Sequence, residues 1–393
     1  MASIYRGATL TISMTSARNS HEGSGITHPL PPATQFNTFN GSKSFFALRN
    51  VYQVHLQGHE LYPILSNAPI HDRAWILQEK VLSRRILHAT KSQFAWQCAT
   101  QFESEDGIVH RFSLRGHPFN TLDCHLLEIH VKTSAEDIRR RWWSWVGEYR
   151  SRSLTNIDDQ YAAFAGVTRL YQEMTSDQPI LGMWKKNLAI HLAWSILGPP
   201  LRTPLKQARS PSWSWMTLPL GTFSPSNIWR FEFNNFVKMK WERERSTLLP
   251  AHLHYEAELI DYDVQWKGAP LVSTASSGTL RMRGRLDRVA LNRIKGSKID
   301  ENKTEFDPYY LDKDYALEKY TDRLFDMFVL FAYEQESSFG NTQELSMACL
   351  ILEACDGEVQ YRRIGIIERS VNRLEGISVE DSLPGTYQTI TLV

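Results

Sequence analysis

Arg73-Ala74-Trp75-Ile76-Leu77-Gln78-Glu79, running on through Lys80-Val81-Leu82-Ser83-Arg84-Arg85-Ile86-Leu87-His88 to Phe94-Ala95-Trp96-Gln97-Cys98, is the stretch on which the reading of this chain turns. Ala74, Trp75, Leu77, Gln78 and Val81 suit a short helix with Trp75 and Leu77–Val81 facing inward. Two strand-like runs follow, 85–90 and 93–98, joined by the polar pair Lys91-Ser92. A β-hairpin is expected there, although neither linking residue is the glycine that a two-residue turn prefers. On the helix, Gln78 and Glu79 point away from the Trp75 stripe, which turns the Glu79 carboxylate toward a cleft. On the strands, Phe94, Trp96 and Cys98 share an apolar face. Cys98 therefore reads as a core thiol, with nucleophilic chemistry between His88 and Cys98 as the alternative.

Working outward, Ile4 to Ser13 reads as a turn into a strand, with Leu10 and Ile12 alternating against Thr9 and Thr11, and with Ile4 and Tyr5 resembling the tail of a helix. Residues 18–45 are rich in Ser, Gly, Asn and Pro and read as an exposed loop. Downstream, Ser134-Ala135-Glu136-Asp137 opens like a capping box before Ile138, Trp142, Trp145, Val146 and Tyr149 at helical spacing. Thr155-Asn156-Ile157-Asp158 repeats the device ahead of Tyr161, Phe164, Val167 and Tyr171. A third helix is expected over Trp184, Leu188, His191, Leu192 and Ser195 or Ile196, stopped by Gly198-Pro199-Pro200. Pro211-Ser212-Trp213-Ser214-Trp215 alternates as a strand with one buried face. Beyond about residue 225 the pattern is β, with runs at 257–264, 278–286, 325–333, 347–352 and 361–367 around a charge-dense surface insertion at 295–323.

The composition fits a soluble globular protein, with 42% hydrophobic and 22% charged residues. Lys+Arg 44 against Asp+Glu 43 gives a net charge of +1, which argues against a nucleic-acid partner. Nothing at the N-terminus reads as a signal peptide and no run is long enough to span a bilayer, so a cytoplasmic location is expected. Four cysteines, Cys98, Cys124, Cys349 and Cys355, are too scattered for a disulfide framework. Cys124-His125 with His130 and His110 lack recognised zinc spacing. No dinucleotide fingerprint, P-loop or nucleophile elbow appears, so no cofactor is expected.

The Arg73–Cys98 run resembles the heterokaryon-incompatibility (HET) domain of filamentous fungi, which carries R-x-W-x-L-Q-E, an L-S-x-R-x-L hairpin and an aromatic pair ending near W-x-C. The residues that carry this likeness are Arg73, Trp75, Leu77, Gln78, Glu79, Arg85 and His88. Ile4-Tyr5 through Thr15-Ser16-Ala17 and Tyr149 through Thr155 with Asp158 and Gly166 are similar to further blocks of that family. So are Gly182-Met183-Trp184, Pro211–Trp215, 278–286 and 361–365. Family members usually open with S-Y-x-W-G and W-I-D-x-x-C-I-N-Q blocks, and neither is present here. The resemblance thus implies the C-terminal part of a HET domain over residues 1–110, a helical segment over 111–225 and a mostly β region over 226–393. The expected fold class is α+β, or α/β through a distant likeness to Toll/interleukin-receptor (TIR) domains.

In function, the resemblance implies an effector of fungal non-self recognition that triggers cell death through self-association or a protein partner. The TIR comparison implies an alternative, an NAD-cleaving hydrolase in which Glu79 is an acid/base or ribose-binding carboxylate. A structural reading of the same residue has Glu79 pairing with Arg73, Arg84 or Arg85. A truncated, inactive paralogue is the remaining alternative.

Overall fold

The computed structural model describes residues 1–23, 34–37, 43–46, 68–91, 93–98, 101–105, 109–111, 135–197, 210–218, 220, 230–233, 253–290, 309–311, 324–336, 343–355, 359–372 and 378–393. Its architecture is α+β. The chain forms two compact units, one of residues 1–157 with 162–171, the other of 158–161 with 172–393. This division differs from boundaries at 110 and 225: the helices of the middle segment build the first unit, while its tryptophan-rich end builds the second.

In the first unit, helix α1 (Ala2–Gly7) leads into strand β1 (Thr11–Ser13). A small hairpin, β2 (Thr34–Asn37) with β3 (Lys43–Phe46), follows. Helix α2 (Ala74–Leu82) is entered from a 3₁₀ turn at Pro69–Asp72. It precedes β4 (Arg85–Ala89), β5 (Phe94–Cys98), β6 (Gln101–Ser104) and β7 (Val109–Arg111). These strands form one sheet in the order β1-β4-β5-β6-β7. Only β1 and β4 run parallel; every other neighbour is antiparallel, so this is not the all-parallel sheet of an α/β domain. The hairpin expected over residues 85–98 forms, with Arg85 opposite Cys98 and His88 opposite Ala95.

Helix α3 (Ala135–Arg150) buries Trp142, Trp145, Val146 and Tyr149, the stripe its spacing predicts. Helix α4 (Gln160–Thr175) answers with Phe164, Val167 and Tyr171. Trp142 lies 5.2 Å from Phe164 and 4.9 Å from Tyr171 between ring centroids, the tilted spacing that aromatic pairs favour.

The second unit begins with a minimal hairpin, β8 (Pro179–Ile180) and β9 (Met183–Trp184), turned by Leu181 and Gly182 at φ 45° and 83°. Two positive φ values in succession make the turn that matches strand twist. The third helix expected over 184–196 is a single turn, α5 (Leu188–His191), followed by β10 (Trp194–Leu197), which pairs with β11 (Arg230–Phe233). Its helical spacing is misleading because residues 188–194 are buried one after another. Pro211–Trp215 is likewise not a strand. Trp213, Ser214 and Trp215 are all buried, and Ser214 caps a 3₁₀ turn through Met216 N while donating to Leu181 O. The Trp213 and Trp215 indoles donate to Gly278 O and Gly182 O.

The rest of this unit is a sheet of β12 (Leu253–Tyr255), β13 (Glu258–Trp266), β14 (Ala275–Ala290), β15 (Tyr309–Leu311), β16 (Leu324–Glu336), β17 (Gln343–Ala354), β18 (Gln360–Asn372) and β19 (Thr386–Leu392), with helix α6 (Val379–Ser382) before the last strand. The expected β runs fall within β13, β14, β16, β17 and β18 to within one residue, while β15 forms inside the stretch expected to be a surface insertion. The first half of β14 pairs with β13 and β19 and its second half with β16. A side chain at the bend, Gly284, would put its Cβ 2.7 Å from the Phe328 ring. Because β16-β17-β18 lie between, and β18 meets β19 in parallel, the ring of five strands closes. Phe325, Met327, Val329, Met347, Cys349 and Ile351 fill its core, with Val379 and Leu383 as a lid.

Cys349 is a buried free thiol, as its apolar segment suggests, while Cys98 and Cys355 are half-buried free thiols. Cys124, its histidine neighbours, Ser134, residues 198–200 and most of the 295–323 insertion lie outside the described residues. Among the described residues no helix is long and apolar enough to cross a membrane.

Candidate functional site

The site grows from the entry to α2. Arg73 and Ser153 form a backbone bridge, with Ala74 N donating to Ser153 O at 2.8 Å and Ser153 N to Asp72 O at 2.6 Å. Arg152 donates to His71 O at 2.7 Å, and its guanidinium also pairs with Glu148, which faces Lys80 at 3.4 Å. Burial pushes the Glu148 carboxyl up, but Lys80 and then Arg152 outweigh it and hold it below the ordinary range. His71 sits beside this cluster. Burial, then the charges of Lys80 and Arg152, holds its imidazole down at about 3.

One helical turn on, the inward stripe is Ala74, Leu77, Gln78 and Val81. The expectation for Gln78 is thereby corrected: it is buried, and its Oε1 accepts from Gly166 N. Trp75 is only half-buried, because the phase of the stripe is set by Gln78 rather than by the tryptophan. Glu79 is half-buried and takes the hydroxyl of Tyr5, whose own proton is held up at about 12 by burial and by that bond. Among the described residues no ion pair joins Glu79 to Arg73, Arg84 or Arg85.

On the sheet, the buried face of β5 is Ala95 and Gln97, while Phe94 is exposed and Trp96 and Cys98 are half-buried. The face assigned from the aromatics is therefore inverted. The cause is a satisfied polar pair: His88 Nε2 lies 2.9 Å from Gln97 Oε1, and its Nδ1 lies 3.1 Å from Thr15 Oγ1. Burial lowers His88 to about 4, against the raising effect of Gln97, so it is a neutral imidazole with both nitrogens engaged. With Cys98 opposite Arg85 rather than His88, the two do not form a nucleophile–base pair. Arg85 is exposed and outside the cavity lining.

These elements enclose a cavity of about 420 Å³ over β1 and β4. It gathers Arg73, Glu79 and His88 from the motif, and adds His71, Lys80 and Arg18. Sequence reasoning missed Arg18 because the loop 14–23 reaches the motif only through the parallel pairing of β1 with β4, and it passed over His71 and Lys80, which lie beside and within the motif. One signal near them was Arg152 in Tyr149-Arg150-Ser151-Arg152, whose half-buried partner Glu148 also faces Lys80. Of the zinc idea, His110 is in β7, and among the described residues no group of three His, Cys, Asp or Glu side chains could hold a metal ion.

Comparisons with known protein families, with curated proteins and with solved structures find no match.

Proposed function

We propose that this chain is a HET-type effector of fungal incompatibility, a protein-interaction module whose engagement sets off cell death. The observation that supports this reading is spatial. Blocks resembling that family, 79 to 88 residues apart in sequence, are tied to one another: Arg152 bonds the carbonyls of His71 and Arg73, and Gln78 takes the amide of Gly166. Two later blocks are joined in the same way, the Trp215 indole resting on Gly182 O. Motif residues that hold a scaffold together explain a recurring pattern without requiring a reaction. Most of the motif's polar groups are engaged in this manner, which favours an interaction module over the NAD-cleaving alternative.

The test is inducible expression of the full chain in a filamentous fungus, with cell viability, assembly size and NAD content followed together. Arrest and death that track self-association, at constant NAD, are expected. Unimpaired growth would overturn the proposal. So would NAD loss that precedes death and disappears in Glu79→Gln.

A further inference from the structure

Polar groups tie residues 1–16 to the rest of the first unit. Tyr5 gives its hydroxyl to Glu79. Thr11 Oγ1 lies 2.7 Å from Ser83 Oγ, and Thr15 Oγ1 lies 3.1 Å from His88 Nδ1. Strand β1 pairs in parallel with the side of β4 that β5 leaves open, and Ser16 N donates to Ala89 O at 3.4 Å. Apolar burial adds little: of the described residues 1–16, Thr15 alone is buried. Nor is the joint close-packed, since the cavity of about 420 Å³ separates residues 11–14 from Ile70, Ile76 and Ile86. A gap of that kind forfeits dispersion contacts along its lining, and a segment held in this way opens at low cost.

The aliphatic side chains of the same segment face water. Ile4, Leu10, Ile12 and Met14 are 66%, 41%, 59% and 45% exposed. Its polar groups thus fit this chain, while its large apolar ones are left for a second surface. The α2–β4 surface is matched to residues 1–16 in register, and every copy of the chain carries both halves of that joint. About 50 residues of chain separate Ala17 from Ala68, enough to carry the segment to a neighbouring molecule even with the β2–β3 hairpin formed. Exchange of an identical element between two copies remakes every one of these bonds between chains and loses none. It also brings the two exchanged segments together about a two-fold axis, where the exposed aliphatic groups of one cover those of the other.

We propose that residues 1–16 are an exchangeable strap: β1 of one copy adds to β4 of a second, and reciprocally, giving a two-fold dimer closed by Ile4, Leu10, Ile12 and Met14. As the means by which the effector proposed above self-associates, this dimer rests on that reading. As a property of the purified chain it stands by itself.

Sedimentation velocity of the full chain over a concentration series tests this, together with a Thr11→Cys/Ser83→Cys variant, whose paired positions suit a disulfide. A monomer–dimer equilibrium is expected. Oxidised while dilute, the double variant locks the strap onto its own body and should stay monomeric when concentrated. Oxidised while concentrated, it should run as a covalent dimer on a non-reducing denaturing gel, with the two single variants as controls for the native cysteines. Ile4→Ser/Ile12→Ser, at exposed positions, is expected to weaken the dimer at least tenfold and leave the monomer's melting temperature unchanged. Tyr5→Phe separates rate from affinity. The bond to Glu79 is the same in both forms, so the dimer constant should hold while exchange with labelled copies speeds up roughly fivefold. A chain that is monomeric at every concentration overturns the proposal, as does a dimer whose disulfides all lie within one chain. An Ile4→Ser/Ile12→Ser protein that dimerises as before overturns it too. A dimer joined elsewhere that still kills on expression leaves the effector reading standing, and exchange without death leaves this one.

Discussion

At the scale of single residues, buried polar groups decide more than the apolar pattern does. Gly166 is the clearest case. A Cβ there would sit 2.5 Å from Gln78 Oε1 and 2.8 Å from Leu82 Cδ1, both of them buried. Alanine gains about 1 kcal/mol of helix propensity over glycine, but overpacking of this order costs ~1–3 kcal/mol, so the clash prevails. Gly166→Ala is expected to lower the urea midpoint, whereas Gly147→Ala, with nothing within 4 Å of its Cβ, should raise it through a gain of about 0.5–1 kcal/mol in unfolding free energy. His88 makes a pH prediction. Its folded pKa, about 4, is below the unfolded value of 6.5, so the unfolded chain binds the proton first. The stability it contributes is complete above 6.5 and is lost as the pH falls toward 4. Between pH 7 and pH 5 this amounts to about 2 kcal/mol, and His88→Gln should flatten that part of the urea-unfolding profile by as much. None of this was legible beforehand. Gln78 and Gln97 occupy inward positions that a hydrophobicity pattern assigns to Trp75 and Trp96, because each finds a specific partner inside.

At the scale of elements, the legible ones are those with a single buried stripe or a long run of β-forming residues. Helices α3 and α4 and strands β13, β14, β16, β17 and β18 belong to this group, whereas β15 lies inside the stretch read as a surface insertion. The segment from Leu188 to Trp194 does not belong to it, since all seven of its residues are buried and no face remains to define a period. Helix α2 was legible as a helix, and its attachment was not. The tie is Arg152, almost fully buried, between Glu148 and the carbonyl of His71. Removing one partner of such a pair costs about 3–5 kcal/mol. Arg152→Met is therefore expected to strip hydrogen-exchange protection from the Ala74 amide, which bonds Ser153 O, while amides in β16 to β18 keep theirs. Loss of protection in both places would sink this account.

For the molecule as a whole, five of the eight strands of the large sheet could be read from the sequence, but β12, β15 and β19, and the closure of the sheet into a ring, could not. Closure depends on where β14 bends and on how β19 is delivered to it. Gly385, at φ +81°, makes that delivery, and a Cβ on it would meet Leu286 O at 2.5 Å. Both backbone strain and a contact with unyielding main chain oppose substitution. Gly385→Ala is expected to cost at least about 2 kcal/mol and to broaden thermal unfolding of the β unit as β19 is displaced. The ring also has a consequence for how this protein tolerates its own concentration. With five strands closed on themselves, β13 is left along the border of the sheet among the described residues, its outer main-chain groups turned to any copy that drifts past. Glu258, Asp261 and Asp263 stand exposed along it, and Gly268 and Pro270 mark its end. Like charges on two such borders, with Asp261 partly offset by Arg281, repel before they can zip together, so this border strand is guarded against stacking into aggregates.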